Sequence, residues 1–442
     1  MDEQRATQLR GPLRGMRELR MAHTGHPAPF RLGAPAYLAA LAGWLAASVL
    51  LLFSASDLTN LAIGRPGPVA AAHAVGLVFF PFAVAAAVWQ LLPVMLRNDP
   101  PAPRLRWVTF GLVAAGVPLT FAIRTDRDRL GAVSAVLLGA GLVLLLLELA
   151  SLIKGAPRGK MLVVSRLAVA LAGMHVAAAF TLGVVAFADG APEPLGVPYE
   201  RLLLVHLTLA LVGWLTVLIL AVGRTLVPML GLAAAAPSRR LPVAELVLVA
   251  GLWTFVVGVA RSTEVLVAIG IVVMLVGLAA PARLFVRVAL SGKIGAREGP
   301  VAHVALGLVF LTEASLLALA AAGGLVADRR AAVAGVLLLG LGWVVGVILG
   351  HLGKLVSLSG WGAWPPGPRP KQAALYPRRG WLVEVVLSGV GVELLALGVL
   401  ASSTPLARSG AGLLVLAAAV ALGSGVETVR RVVLGRRTPS SA

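Results

Sequence analysis

Apolar runs long enough to cross a bilayer recur along almost the whole chain, each followed by a few polar, Pro or Gly positions. They fall near 35–57, 68–96, 105–123, 130–153, 161–187, 201–231, 241–260, 264–289, 301–325, 331–359, 381–401 and 406–429. A helix rises about 1.5 Å per residue, so about 20 apolar residues cross a hydrocarbon core of about 30 Å. The pattern predicts an all-α polytopic membrane domain of twelve spans over residues 35–429, with basic tails at 1–34 and 430–442. Several spans exceed the minimum and are expected to tilt or to project past the hydrocarbon.

Composition narrows the class. The chain is 59% hydrophobic and 13% charged, whereas soluble domains run at about 45–50% and about 25%. A net charge of +19 would suit nucleic acid only on the basic face of a soluble domain. The hydrophobic pattern leaves no such domain, so the expected partner is the lipid bilayer and not nucleic acid. With the N-terminus in the cytoplasm, 29 of the 38 Lys and Arg fall on that side. The positive-inside rule then puts both termini in the cytoplasm, as in a multi-pass protein of a bacterial cytoplasmic (inner) membrane. Arg5, Arg10, Arg14, Arg17 and Arg20 resemble the charged start of a signal peptide, but the first span is too long and lacks a small-residue cleavage site. An uncleaved start is expected, with Met16 and Met21 as alternative initiators. Cysteine is absent, which leaves His, Met and carboxylates as side-chain metal ligands.

A repeat lies inside the hydrophobicity. Spans two, six and ten end in "WQLLPVMLRNDPP", "GRTLVPMLGLAAAAP" and "GKLVSLSGWGAWPP". Gln90, Arg224 and Lys354 each precede a short apolar step, then Pro93, Pro228 or Ser357, then a Pro-containing exit. Gln90 to Arg224 is 134 positions and Arg224 to Lys354 is 130, four helices each time. Fixed-period repeats decide architecture; this one divides the domain into units of roughly 35–155, 161–290 and 301–429. His73 lies twenty residues before Pro93 and His206 twenty-two before Pro228, while the third copy has only "GVLLLG" at that depth. The eighteen residues from His206 to Arg224 are about five turns, or ~27 Å, so both lie on one helix face.

Three arcs of four helices, with His near the outer ends of the second and sixth, resemble the catalytic subunit of the heme–copper oxidase and nitric oxide reductase superfamily. The phrases "AHAVGLVFFPFAVAAAVWQLLPVM" (72–95), "VHLTLALVGWLTVLILAVGRTLVPML" (205–230) and "GHLGKLVSLSGW" (350–361) look closer still to a stand-alone bacterial branch, similar in style to the NnrS family of the nitric oxide response. The resemblance covers about residues 30–430. It implies that His73 stands where the family ligates a low-spin heme and His206 where it ligates copper, with heme b, copper or both as cofactors. The rest of the family's ligand set is missing: "LPVAELVLVAGLWTFVVGVA" of the seventh span has no His, the tenth has only His351 near its cytoplasmic end, and no His-Pro-Glu-Val-Tyr sequence follows His206. Oxygen reduction by the oxidase mechanism is therefore not expected.

Ionisable residues inside a bilayer cost several kcal/mol unless paired or wet, which makes each a candidate. His73, His206 and His175 are expected to form an outer-half heme or metal site; the plain alternative is that each imidazole only hydrogen-bonds a neighbouring helix. His303 and His351 are placed near span ends, where water reaches them. Glu313 and Glu393 fall within the ninth and eleventh spans, as proton-relay groups or as buried neutral acids. Glu148, Glu245 and Glu384 are expected at the cytoplasmic interface beside Lys or Arg. Gln90, Arg224 and Lys354 are expected to reach the headgroups, the cations by snorkelling; the sharper alternative has them converge on an anion or a heme propionate. His23 and His26 beside Met21 form a weak soft-metal candidate, and Trp361 and Trp364 an interfacial belt.

Two functions from different classes fit. One is a heme- or copper-binding membrane protein of nitric oxide or oxygen stress or redox sensing, with a redox partner or a respiratory complex beside it. The other is a transporter or chaperone for copper, heme or another small solute. A cofactor-free structural subunit is the third alternative.

Overall fold

The computed structural model describes residues 30–96, 98–156, 166–189, 196–233, 240–292, 298–326, 328–362, 364 and 370–435. His23, His26 and both alternative initiators lie outside the described residues. Among the described residues twelve helices are long and apolar enough to span a membrane. They are α1 (Gly33–Phe53), α2 (Pro66–Leu91), α3 (Pro103–Thr125), α4 (Asp128–Gly155), α5 (Arg166–Ala186), α6 (Tyr199–Gly231), α7 (Leu241–Arg261), α8 (Glu264–Ser291), α9 (Gly299–Ala322), α10 (Arg329–Gly362), α11 (Arg378–Leu400) and α12 (Thr404–Gly435). The twelve expected spans match these one for one. Odd-numbered helices start from the end that carries most of the Lys and Arg, called the basic end below.

Repetition extends to backbone detail. Each of α2, α6 and α10 contains a π-helical stretch, Ala74–Phe79, Leu209–Thr216 and Leu338–Val345. These begin 16, 15 and 16 positions before Gln90, Arg224 and Lys354. A π turn inserts a residue and shifts the helix face below it. In α6 the wide turn brings the Thr216 hydroxyl onto the carbonyl of Leu211, five residues back, while the same hydroxyl accepts the indole N–H of Trp343 in α10 at 3.1 Å. The most apolar stretches of α2, α6 and α10 are 67, 56 and 67% buried, against 22% for α8 and for α9. The second helix of each unit therefore lines the interior.

The last two helices of each unit form a hairpin on the same turn. Asp126, Ser262 and Ser402 have φ of 56, 56 and 55°. The next N–H bonds five residues back in all three: Arg127 to Ala122, Thr263 to Gly258 and Ser403 to Gly398, at 3.0, 2.9 and 2.8 Å. This is the six-to-one bond of a Schellman ending. The hairpins then pack backbone to backbone. A Cβ on Gly277 would sit 2.4 Å from the nitrogen of Leu248, one on Gly398 2.4 Å from that of Ala407, and one on Gly141 2.8 Å from that of Val113. Small residues let membrane helices approach where no hydrophobic effect drives them together.

Helix α12 returns against α1, where the hydroxyls of Thr59, just beyond α1, and Thr404 meet at 2.8 Å. The junction between the first two units is looser, with an apolar cleft of about 390 Å³ lined by Leu142, Leu146, Val169, Gly173, Trp214 and Leu218. Its walls offer no polar group for chemistry beyond the Trp214 indole.

Candidate functional site

Away from the basic end, the α-helical turns just before the π-helical stretches of α2 and α6 bring two imidazoles together. The rings of His73 and His206 lie with centroids 6.2 Å apart and planes 24° apart. The His73 Nδ1 lies 2.7 Å from the carbonyl of Val69, and the His206 Nδ1 2.8 Å from that of Ala179 in α5. A carbonyl can only accept, so both Nδ1 atoms carry the proton. Both Nε2 atoms then keep their lone pairs, the arrangement in which a backbone partner orients a metal-binding imidazole. Gly183 leaves room for the His206 ring, since a Cβ there would sit 3.3 Å from Cε1.

His175 does not join this pair. It packs against α6 at Gly213, where a Cβ would meet its Cγ at 2.6 Å, and beside Trp253 at 5.8 Å between centroids. Gly183, the α5 neighbour of His206, lies eight residues on, about 12 Å along the helix. Its Nδ1 bonds the Leu171 carbonyl at 2.6 Å, and its Nε2 is buried without a partner. Among the described residues no three His, Asp or Glu side chains cluster as a metal site.

At the basic end each unit buries one carboxylate. Glu148, Glu245 and Glu384 are 2, 1 and 0% exposed. Their burial corrects the interfacial placement expected of all three, while the expected basic neighbour is present for Glu148 and Glu245. Glu148 accepts the Trp89 indole N–H at 2.6 Å and the Thr109 hydroxyl at 2.8 Å, with buried Arg106 close enough to act on it electrostatically. Glu245 pairs with Arg224 at 3.7 Å. Glu384 bonds His303 Nε2 at 2.6 Å through one oxygen and accepts the Ser388 hydroxyl at 2.6 Å on the other. Arg106, Glu245 and Glu384 are spaced by 139 residues twice over, a periodicity that marks these positions in the sequence.

The polar end-markers turn inward as well. The Arg224 side chain is 10% exposed and Gln90 is 3% exposed; both are enclosed by protein. Gln90 fills the space left by Gly33 of α1, where a Cβ would overlap its amide. The Lys354 ammonium binds Glu298 at 3.0 Å and stands 4.4 Å from the centroid of the Tyr376 ring. Each marker thus engages a neighbour inside its own unit. Tyr376 lies between α10 and α11; burial, and then the charges of Glu298 and Glu384, push its phenol above its ordinary range.

The third unit holds most of the remaining chemistry. His303 and His351 are 1 and 7% exposed, not at a wet span end as expected. The reason is packing: His303 lies over Gly350, where a Cβ would meet its own at 2.6 Å. His351 Nδ1 bonds the Val347 carbonyl at 2.6 Å, and its Nε2 is buried without a partner. Further out, Glu313 of α9 and Glu393 of α11 hydrogen-bond to each other. Two carboxyls that meet inside a bilayer are held together when they share a proton, since two carboxylates repel. Trp361 donates to the carbonyl of Pro370 at 3.0 Å, which ties down the end of the proline loop. Arg106, Glu298, Tyr376 and Ser388 escape a reading that follows polar breaks within single spans, because their roles arise only between helices.

No family model matches the chain, and no curated protein sequence matches it. The likeness to the heme–copper oxidases rests on the three phrases and the helix plan alone. The fold is that of a polytopic all-α membrane protein.

Proposed function

We propose that the protein binds a late first-row transition metal, as copper or as the iron of heme b, between His73 and His206. The observation that carries this is the paired imidazoles, each locked through Nδ1 on a carbonyl. Metal–nitrogen bonds run at about 2.0–2.1 Å. Two imidazoles on one ion therefore hold their centroids about 5 Å apart at a tetrahedral angle and about 6 Å apart in line. The two rings stand 6.2 Å apart, within the span that two imidazoles sharing one ion cover. Copper or heme iron in such a site supplies one-electron chemistry and nitric oxide or dioxygen binding. His73 and His206 would hold the metal, and the Val69 and Ala179 carbonyls would fix their orientation.

On this reading the basic end is cytoplasmic, the protein sits in a bacterial inner membrane, and its role is nitric oxide or oxygen stress response or redox sensing. Its supports are the resemblance and the charge distribution. Purified protein should carry copper or a b-type Soret band in near-stoichiometric amount, lost in His73→Ala and in His206→Ala and kept in His175→Ala. A colourless, metal-free wild type that takes up neither copper(I) nor heme overturns the reading.

Transport of copper, heme or a small solute is the second reading. The buried polar groups of the third unit favour it, because a solute carrier driven by protons needs titratable groups within the bilayer.

A further inference from the structure

We propose that the third unit contains a proton pathway from the basic end to the Glu313–Glu393 pair, in contact with water at the Lys354–Glu298–Tyr376 mouth. It is independent of the metal site proposed above.

Each unit buries one carboxylate at the basic end with a different partner, and the difference decides what each can do. Glu148 faces Arg106 and Glu245 faces Arg224. Guanidinium keeps its proton in proteins, so those two pairs are fixed charges. Glu384 faces His303, whose imidazole can carry a proton on either ring nitrogen. Only in the third unit, among the described residues, does the buried carboxylate have a titratable partner.

Further groups continue the line in both directions. Towards the basic end are His351, with its buried unpartnered Nε2, and then Lys354, Glu298 and Arg378; Arg378 lies 3.9 Å from Glu298. Away from it, Ser388 is one turn beyond Glu384 and hydrogen-bonded to it. A narrow cavity follows, lined by His303 and Ser388 and by Phe310 and Val392. Val392 adjoins Glu393, and Phe310 lies three residues before Glu313. The cavity has room for about one ordered water beside the Ser388 hydroxyl, and the proposed route continues from that water to the carboxyl pair. Helices α9 and α11 run in the same direction, so His303–Glu384 and Glu313–Glu393 are two rungs between the same helices, about 14 Å apart along the axis.

Transfer needs no group from outside. His303 passes the proton on Nε2 to Glu384 and regains one through Nδ1. Once the Ser388 hydroxyl, which donates to Glu384 at rest, has turned to accept from it, Glu384 passes its proton to the Ser388 oxygen as that hydroxyl releases its own to the water, and the water protonates whichever of Glu313 and Glu393 is ionised. Only N–H and O–H bonds form and break.

The experiment is infrared spectroscopy of the full-length protein in proteoliposomes switched from H₂O to D₂O. A protonated-carboxyl C=O band is expected, absent from Glu313→Gln/Glu393→Gln, which assigns it. Its deuteration should slow by roughly tenfold or more in Glu384→Gln and in Ser388→Ala, with the band itself retained. Ser388→Ala removes one hydroxyl and keeps the decision open if Glu384→Gln does not fold. Failure to find the band overturns the shared proton. Unchanged deuteration in either folded variant overturns the route. Metal content is measured on the same samples and reports separately on His73 and His206.

Discussion

Single residues in this protein are decided by what stands across the helix interface. Arg224 shows it: by sequence it is a cation at the end of a span, suited to headgroups, yet its side chain is 10% exposed and lies 3.7 Å from Glu245. Nothing within span six announces that partner, because Glu245 belongs to the next helix. Removing one member of a buried pair strands the other and costs about 3–5 kcal/mol, whereas replacing both with apolar groups is often neutral. Arg224→Ala should therefore lower the unfolding midpoint in detergent well below that of Arg224→Met/Glu245→Leu. Equal losses would mean that the charges are not coupled. His73 and His206 were legible as a pair, since the repeat aligns them and the topology puts them at one depth. What the sequence could not supply is that His175, also expected in that group, packs against Gly213 and Trp253, about two turns along α5 from Gly183, the neighbour of His206.

At the level of elements, the twelve spans follow from apolar run length alone, and the repeat from three polar end-markers. The π-helical stretches and the three matching left-handed turns do not follow. Asp126, Ser262 and Ser402 are different side chains doing one backbone job, and only the phase of the repeat identifies them as equivalent. Their hairpins depend on glycines whose missing Cβ lets two backbones touch. Gly398→Ala places a methyl 2.4 Å from the backbone nitrogen of Ala407, where a flexible side chain cannot yield. A cost of about 1–3 kcal/mol is expected from such overpacking. Gly412, in the partner helix α12, has nothing within 4 Å of where its Cβ would be. Gly412→Ala should be neutral or stabilise by up to about 1 kcal/mol through helix propensity. Thermal unfolding of the two variants in the same detergent checks the contrast, and similar shifts for both would remove backbone approach as the basis of the hairpin.

For the whole molecule, orientation governs what every site can reach. On the orientation proposed above, the basic end faces the cytoplasm. The His73–His206 pair would then lie toward the outside, open to a periplasmic metal or gas, and the Lys354–Glu298–Tyr376 mouth would meet cytoplasmic water. Reversing the protein would exchange both. The absence of cysteine provides a clean background for testing this, because each introduced thiol is the only one present. Ser402, exposed in the turn between α11 and α12, and Ser291, exposed at the basic end of α8, lie on opposite faces. Ser402→Cys should react with a membrane-impermeant maleimide in intact cells. Ser291→Cys should react only after the inner membrane is permeabilised. The opposite pattern would put the metal pair on the cytoplasmic side and the proton mouth outside, so that protons entering the third unit would come from the periplasm. Labelling of both thiols in intact cells would contradict a single orientation, since the two positions are separated by the full thickness of the bundle.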